Sequence, residues 1–202
     1  MVDFFKIRAD KQEHIISAAL NVFSRQGYKK ASVADIAEAA GIAKGMVTYY
    51  FGSKKNLYLY LVDASAKTVM EAYEKHYVQG VTDFFDRIRM MTEIKIEALR
   101  ARPGVAAFLS SVFYEKDKEV EEELCKFKND GLAIRSGMIS EGVDLSKFKE
   151  GIDPEMINRF LYWTGLGMFE DLGLLENVEK IDEYMGVLYK CMELMRGAFY
   201  KE

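Results

Sequence analysis

The chain has 202 residues, half of them apolar and 30% charged, with a formal net charge of −4. That length is enough for one or two domains with a real core, and no apolar run approaches the length of a membrane-spanning helix. The start, Met1-Val2-Asp3-Phe4-Phe5, lacks the basic region and apolar stretch of a secretory leader, so a cytoplasmic protein with no membrane partner is expected.

Two Pro residues and few strand-like alternations point to an all-α chain. Cys125 and Cys191 lie far apart and form no metal-type pair, so reduced thiols are expected, with no metal site and no cofactor. The charge is unevenly spread. Residues 1–60 hold nine Lys/Arg against five Asp/Glu, a net of +4, and the remainder carries −8. A basic end suits a polyanion, with an acidic body kept away from it.

Residues 1–8 read as a partly ordered arm. Its Phe4, Phe5, Lys6 and Arg8 either pack on the first helix, reach outward to DNA, or fray. The spacing predicts a first helix over about 10–26, with Ile15, Ile16, Ala19, Val22 and Phe23 inward and Gly27 ending it. Ser32 and Asp35 then make a capping-box pattern. Ile36, Ala37 and Ala40 share one face, and Gly41 stands where a chain reversal needs positive φ. A short helix from Lys44 to Phe51 follows, with Val47 inward. Two helices crossing steeply over so short a turn need a small residue at their contact, and Ala37 supplies it. This is the pattern of a helix-turn-helix, whose second helix can enter a DNA major groove. Lys44, Thr48, Tyr49 and Tyr50 are expected on the exposed sides of that helix, with Gly52, Ser53 and Lys54 closing it. Lysines, tyrosine hydroxyls, capping hydroxyls and helix N-terminal amides hold phosphates, and Thr can reach a base edge.

The run from Ser32 to Leu57, with Ile15 to Tyr28 and its Phe23-x-x-x-Gly27-Tyr28 ending, resembles the TetR family of one-component transcriptional regulators. The resemblance spans roughly the first quarter of the chain. It implies a DNA-binding domain of three helices over 1–52, then a helical ligand-binding and dimerisation domain over 53–202, about nine helices in all. It also implies Ser32, Lys44, Gly45, Thr48, Tyr49, Tyr50 and Lys54 as DNA-binding residues, and double-stranded DNA with a palindromic operator as partner. Two positions depart from the family pattern. Ala43 stands where Ser or Thr usually caps the recognition helix, and Thr48 replaces a frequent Tyr.

A connecting helix is expected over 53–78, with Leu57, Leu61, Val62, Ser65, Val69, Ala72 and Tyr73 along one stripe. Starting beside the DNA-reading unit and ending in the body, it would act as a lever. Further helices are expected over 83–101, 104–116 and 118–141. In the first of these Phe84, Phe85, Ile88, Met91, Ile94 and Leu99 suggest burial nearly all round. Residues 142–154 read as a loop, and helices over 155–175 and 178–200 complete the chain.

The last helix spaces Ile181, Met185, Leu188, Met192, Met195 and Phe199 in a 4-3-4-3-4 rhythm, an apolar seam. It serves burial within one subunit or, as the resemblance favours, a four-helix homodimer interface of Ile157, Leu161, Met168, Ile181, Met185, Leu188, Met192 and Met195. Tyr73, Ile88, Met91, Phe108, Phe127, Trp163 and Gly167 are candidate lining for an unknown small, largely apolar effector, with His76 and Tyr162 as polar contacts. For each of these the alternative is plain core packing.

No Ser-His-Asp or Cys-His grouping and no phosphate loop is visible, so an enzyme is not expected and no catalytic residue is assigned. The reading is a ligand-responsive repressor. The alternative is a helical small-molecule carrier whose DNA-binding end has decayed.

Overall fold

The computed structural model describes residues 3–174 and 180–201. After a 3-10 turn at Phe4–Lys6, the α-helices are α1 (Ala9–Lys30), α2 (Val33–Ala39), α3 (Lys44–Phe51), α4 (Lys54–His76), α5 (Phe84–Arg100), α6 (Pro103–Tyr114), α7 (Glu121–Ser140), α8 (Pro154–Asp171) and α9 (Ile181–Phe199). Among the described residues the only β pairing is an isolated bridge between Phe148 and Tyr200. The fold is all-α, as the residue pattern requires. Residues 175–179, where the sequence places the end of one helix and the start of the next, lie outside the described residues.

Two compact units make up the chain: Met1–Lys75 with Lys95–Asn129, and His76–Ile94 with Asp130–Glu202. In the first unit, α1 packs along α6 and against α2, and α2 packs on α3. Its centre is aromatic. Tyr58 on α4 meets Phe23 at 4.9 Å, Tyr28 at 5.0 Å and Phe108 at 5.3 Å between ring centroids, each edge to face. Such pairs favour the ring quadrupoles as well as burial. Gly27 interrupts α1 with φ 71° and ψ 171°, a backbone state open to glycine and costly to other residues. The bend turns the Tyr28 N–H toward Glu115 just past α6, whose carboxylate accepts it at 2.7 Å.

In the second unit α8 packs on α9. Gly165 is buried there, and a Cβ at this position would lie 2.9 Å from the Tyr184 hydroxyl, so a glycine is what lets the two helices approach. The start of α5 is buried through Phe84, Phe85, Ile88 and Met91. Its second half is not, since Glu93, Lys95 and Glu97 are exposed and Ile94 and Leu99 only half-buried. The expectation of all-round burial therefore holds for two turns only. Arg87, buried to 4% exposure, was not anticipated as a core residue. Its guanidinium donates to the carbonyls of Val81, Met138, Ile139 and Glu141, which stitches the 81–83 turn to the end of α7.

The structure reassigns most of the residues expected at a subunit interface. Ile157, Leu161, Met185, Leu188 and Met192 are buried within the chain itself, on the inward faces of α8 and α9. Met168, Ile181 and Met195 are half-buried. The apolar side chains that these helices leave uncovered are others: Met156, Phe160 and Trp163 on α8, Val187 and Leu194 on α9. Phe160 and Trp163 meet edge to face at 6.1 Å. A 3.6-residue period allows a second apolar stripe beside the first, and both helices carry one.

Candidate nucleic-acid interface

The helix-turn-helix forms as its local chemistry dictates. Ser32 Oγ accepts the Asp35 N–H and the Asp35 carboxylate accepts the Ser32 N–H, both at 3.1 Å, completing the capping box of α2. Two donors that would otherwise be orphaned are thereby satisfied. Gly41 takes φ 59° and reverses the chain. Ile36, Ala37 and Val47 fill the wedge between α2 and α3, each at most 2% exposed. Ala43 caps α3 through its backbone alone; its carbonyl accepts the Met46 N–H at 2.8 Å. The first turn of α3 carries Lys44 and Gly45, both exposed, and nothing lies within 4 Å of where a Gly45 Cβ would sit. Thr48 and Tyr49 are exposed one turn later, Tyr49 at 63%. Lys44, Gly45, Thr48 and Tyr49 thus share the outward side of a short, well-braced helix. This is the arrangement that presents a cation, an open backbone, a hydroxyl and a phenol to a duplex.

Two residues expected on that surface turn inward. Tyr50 is 3% exposed and packs against Phe4 and Phe51. Tyr50 lies three residues after the buried Val47, one turn on along the same inward face, whereas Tyr49 is rotated about 100° away from it. Lys54 is the second. Its Nζ donates to the carbonyls of Tyr28 at 2.9 Å and Ala31 at 3.3 Å and lies 4.2 Å from the Tyr28 ring centroid. It therefore clamps the start of α4 to the α1–α2 junction. Ser32 is half-buried, its oxygen accepting in the cap and its O–H a donor.

The arm is more ordered than its sequence suggests. Phe4 is 1% exposed and sits among Tyr50, Phe51 and Tyr60, with centroid distances of 4.8 to 6.3 Å. Gln12 Nε2 donates to the Ile7 carbonyl at 2.8 Å and fixes the chain behind it. Asp3 consequently lies beside α3, where its carboxylate accepts the Tyr49 hydroxyl at 2.7 Å and Lys6 Nζ at 3.0 Å. These two hydrogen bonds, Tyr49's first, hold the Asp3 carboxyl below its usual range. The same contact pushes the Tyr49 phenol up. The clue in the sequence was Phe4-Phe5, an adjacent aromatic pair at the very start of the chain.

The candidate effector-lining residues divide between the units. Tyr73, Phe108 and Phe127 belong to the first, and Ile88, Met91, Trp163 and Gly167 to the second. Phe108, fully buried beside Tyr58, is a member of the aromatic core, and Trp163 is 55% exposed on the outer stripe of α8. Gly167 is exposed, while Ile88 and Met91 are buried one turn apart on α5. Of the proposed polar contacts, His76 is exposed and Tyr162 lies under the Arg135 guanidinium at 5.9 Å. Among the described residues no three His, Cys, Asp or Glu side chains gather as around a metal ion, and no helix is long and apolar enough to cross a membrane.

Residues 15–61 match the model of the bacterial regulatory proteins of the tetR family. The transcriptional regulator RutR of Escherichia coli K12 is 45% identical over 163 residues, covering 80% of this chain and 74% of that one. A TetR family regulator from Chloroflexus aurantiacus superposes with a TM-score of 0.77 at 19% identity, over 100% of this chain and 99% of the other. The regulator FadR of Bacillus subtilis, solved in complex with stearoyl-CoA, superposes with a TM-score of 0.61 at 17% identity, over 90% and 96% of the two chains.

Proposed function

This chain belongs to the TetR family of transcriptional regulators, and from that premise we propose that it is a homodimeric, ligand-responsive repressor acting in the cytoplasm on a palindromic DNA operator. The observation that carries the reading is the outward face of α3, where Lys44, Gly45, Thr48 and Tyr49 are exposed on a helix held rigidly by the capping box and the Ile36–Ala37–Val47 wedge. The operator-facing set is these four residues with Ser32, whose O–H can be given to a phosphate. Lys54 and Tyr50 support it from behind.

One short helix contacts too few base pairs to be selective, so two are needed. A two-fold dimer would hold them about 34–36 Å apart, one helical turn of DNA. The exposed apolar stripe of Met156, Phe160, Trp163, Val187 and Leu194 supports a dimer through α8 and α9, because a patch of large apolar groups left in water favours association. The division proposed for the chain is a DNA-reading part, 1–52, and an effector and dimer part, 53–202, joined by α4. FadR, solved with stearoyl-CoA, supports a largely apolar effector. Ile88 and Met91 are the residues proposed to meet it. Such an effector lowers DNA affinity by as much as it prefers the conformation in which the two α3 helices are wrongly spaced.

The test is binding to a labelled random-sequence duplex, by fluorescence anisotropy, across a salt series. A DNA regulator binds at low salt and loses affinity steeply as salt rises. A protein that ignores duplex DNA at low ionic strength is instead the carrier of the alternative reading.

A further inference from the structure

Building on the DNA-facing role of α3 just proposed, the geometry points to a built-in competitor for that surface. We propose that Asp3, pinned beside the recognition helix by the buried Phe4, occupies the hydroxyl proton of Tyr49, and that duplex DNA must displace it to bind.

A phenol has one proton to donate. In this structure Tyr49 gives it to Asp3 Oδ2 at 2.7 Å. A phosphate oxygen seated on the same hydroxyl would need that proton, and it would bring a second negative charge close to the carboxylate. The two acceptors are therefore mutually exclusive. Asp3 stays in place for two reasons. Phe4, next to it, is 1% exposed within the Tyr50, Phe51 and Tyr60 cluster, and Lys6 Nζ pairs with the other carboxylate oxygen at 3.0 Å. A group tethered this way competes at the effective concentration of a short linker, far above that of free acid in solution. Asp3 and Tyr49 are both exposed, so the exchange needs no change in the core. Lys6 gives the arm a second use, since an ammonium freed from Asp3 is a phosphate ligand.

A double-mutant cycle on random-sequence duplex at low salt tests this. D3A removes the acceptor and the charge, and tightens binding about five-fold, the scale of an exposed charge-assisted contact. In the Y49F background the proton at stake is gone, and the same change gains less than about two-fold. An unchanged or weakened D3A protein overturns the proposal, and so does an equal gain in both backgrounds, which would make Asp3 a mere surface charge. Both variants lie at solvent-exposed positions, and matching circular dichroism and melting curves check the fold. If wild type binds duplex and D3A does not tighten it, this inference alone falls. If wild type binds no duplex, the functional reading beneath it falls as well.

Discussion

Leu188 and Leu194 lie six residues apart on α9 and offer a matched pair of perturbations. Leu194 is 75% exposed and Leu188 only 5%. Burying a leucine side chain is worth about 1.5–3 kcal/mol, so the exposed three quarters of Leu194 would contribute about 1–2 kcal/mol per subunit on association. A two-fold interface counts each change twice, giving about 2–4 kcal/mol. Leu194→Glu should therefore weaken dimerisation by about 30- to 1000-fold, at about 1.4 kcal/mol per factor of ten, before any cost of burying the carboxylate. The fold of the subunit should survive it. Leu188→Glu loses about 2–3 kcal/mol of burial within the chain and forces a carboxylate into the buried side of α9, at several kcal/mol more. Against a total stability of about 5–15 kcal/mol, that melts or unfolds the helical body. Sedimentation at graded concentrations reads the first effect and urea unfolding by circular dichroism reads the second. A Leu194→Glu dimer as tight as wild type, beside a well-folded monomeric Leu188→Glu protein, would refute the assignment of the inner and outer stripes.

Lys44→Ala should weaken duplex binding and lower the slope of log affinity against log salt by about one per subunit, since one phosphate contact is lost. Lys54→Ala should instead cost about 1–2 kcal/mol in urea unfolding, because the carbonyls of Tyr28 and Ala31 lose their charged donor. Gly27→Ala should cost about 1–3 kcal/mol by the same assay, as its φ of 71° with ψ 171° strains any residue with a Cβ and the Glu115 carboxylate lies 3.3 Å from that atom. Asp83 supplies a pH test. Burial alone would raise its carboxyl, but the Lys147 ammonium at 2.9 Å, the Asp86 N–H and Arg196 outweigh burial and hold it below the usual value. A carboxyl depressed in the folded state adds stability above its unfolded value of 3.8, and that stability is lost as pH falls through the lower folded value. Asp83→Asn should thus destabilise the protein at neutral pH, and the gap from wild type should shrink below about pH 4 in urea titrations.

Local chemistry determined the DNA-reading end. The Ser32–Asp35 cap, the small Ala37 and the positive-φ Gly41 each act within a few residues, so the order of residues alone specifies α2, the turn and α3. The same holds for the all-α class and most helix limits. What a helix does with its second apolar stripe is not local. In α8 and α9 both stripes are apolar, and only packing one helix on the other, with Gly165 beneath Tyr184, decided that Leu161, Leu188 and Met192 face inward while Trp163 and Leu194 face water. Long polar side chains are equally undetermined by their own neighbourhood. Lys54 finds carbonyls 23 and 26 residues back in the chain, and Arg87 finds three of its four carbonyls more than 50 residues ahead. Asp3 meets Tyr49 across 46 residues because Phe4 is buried. A burial preference can be read residue by residue, but the identity of the burying surface exists only once distant segments have come together.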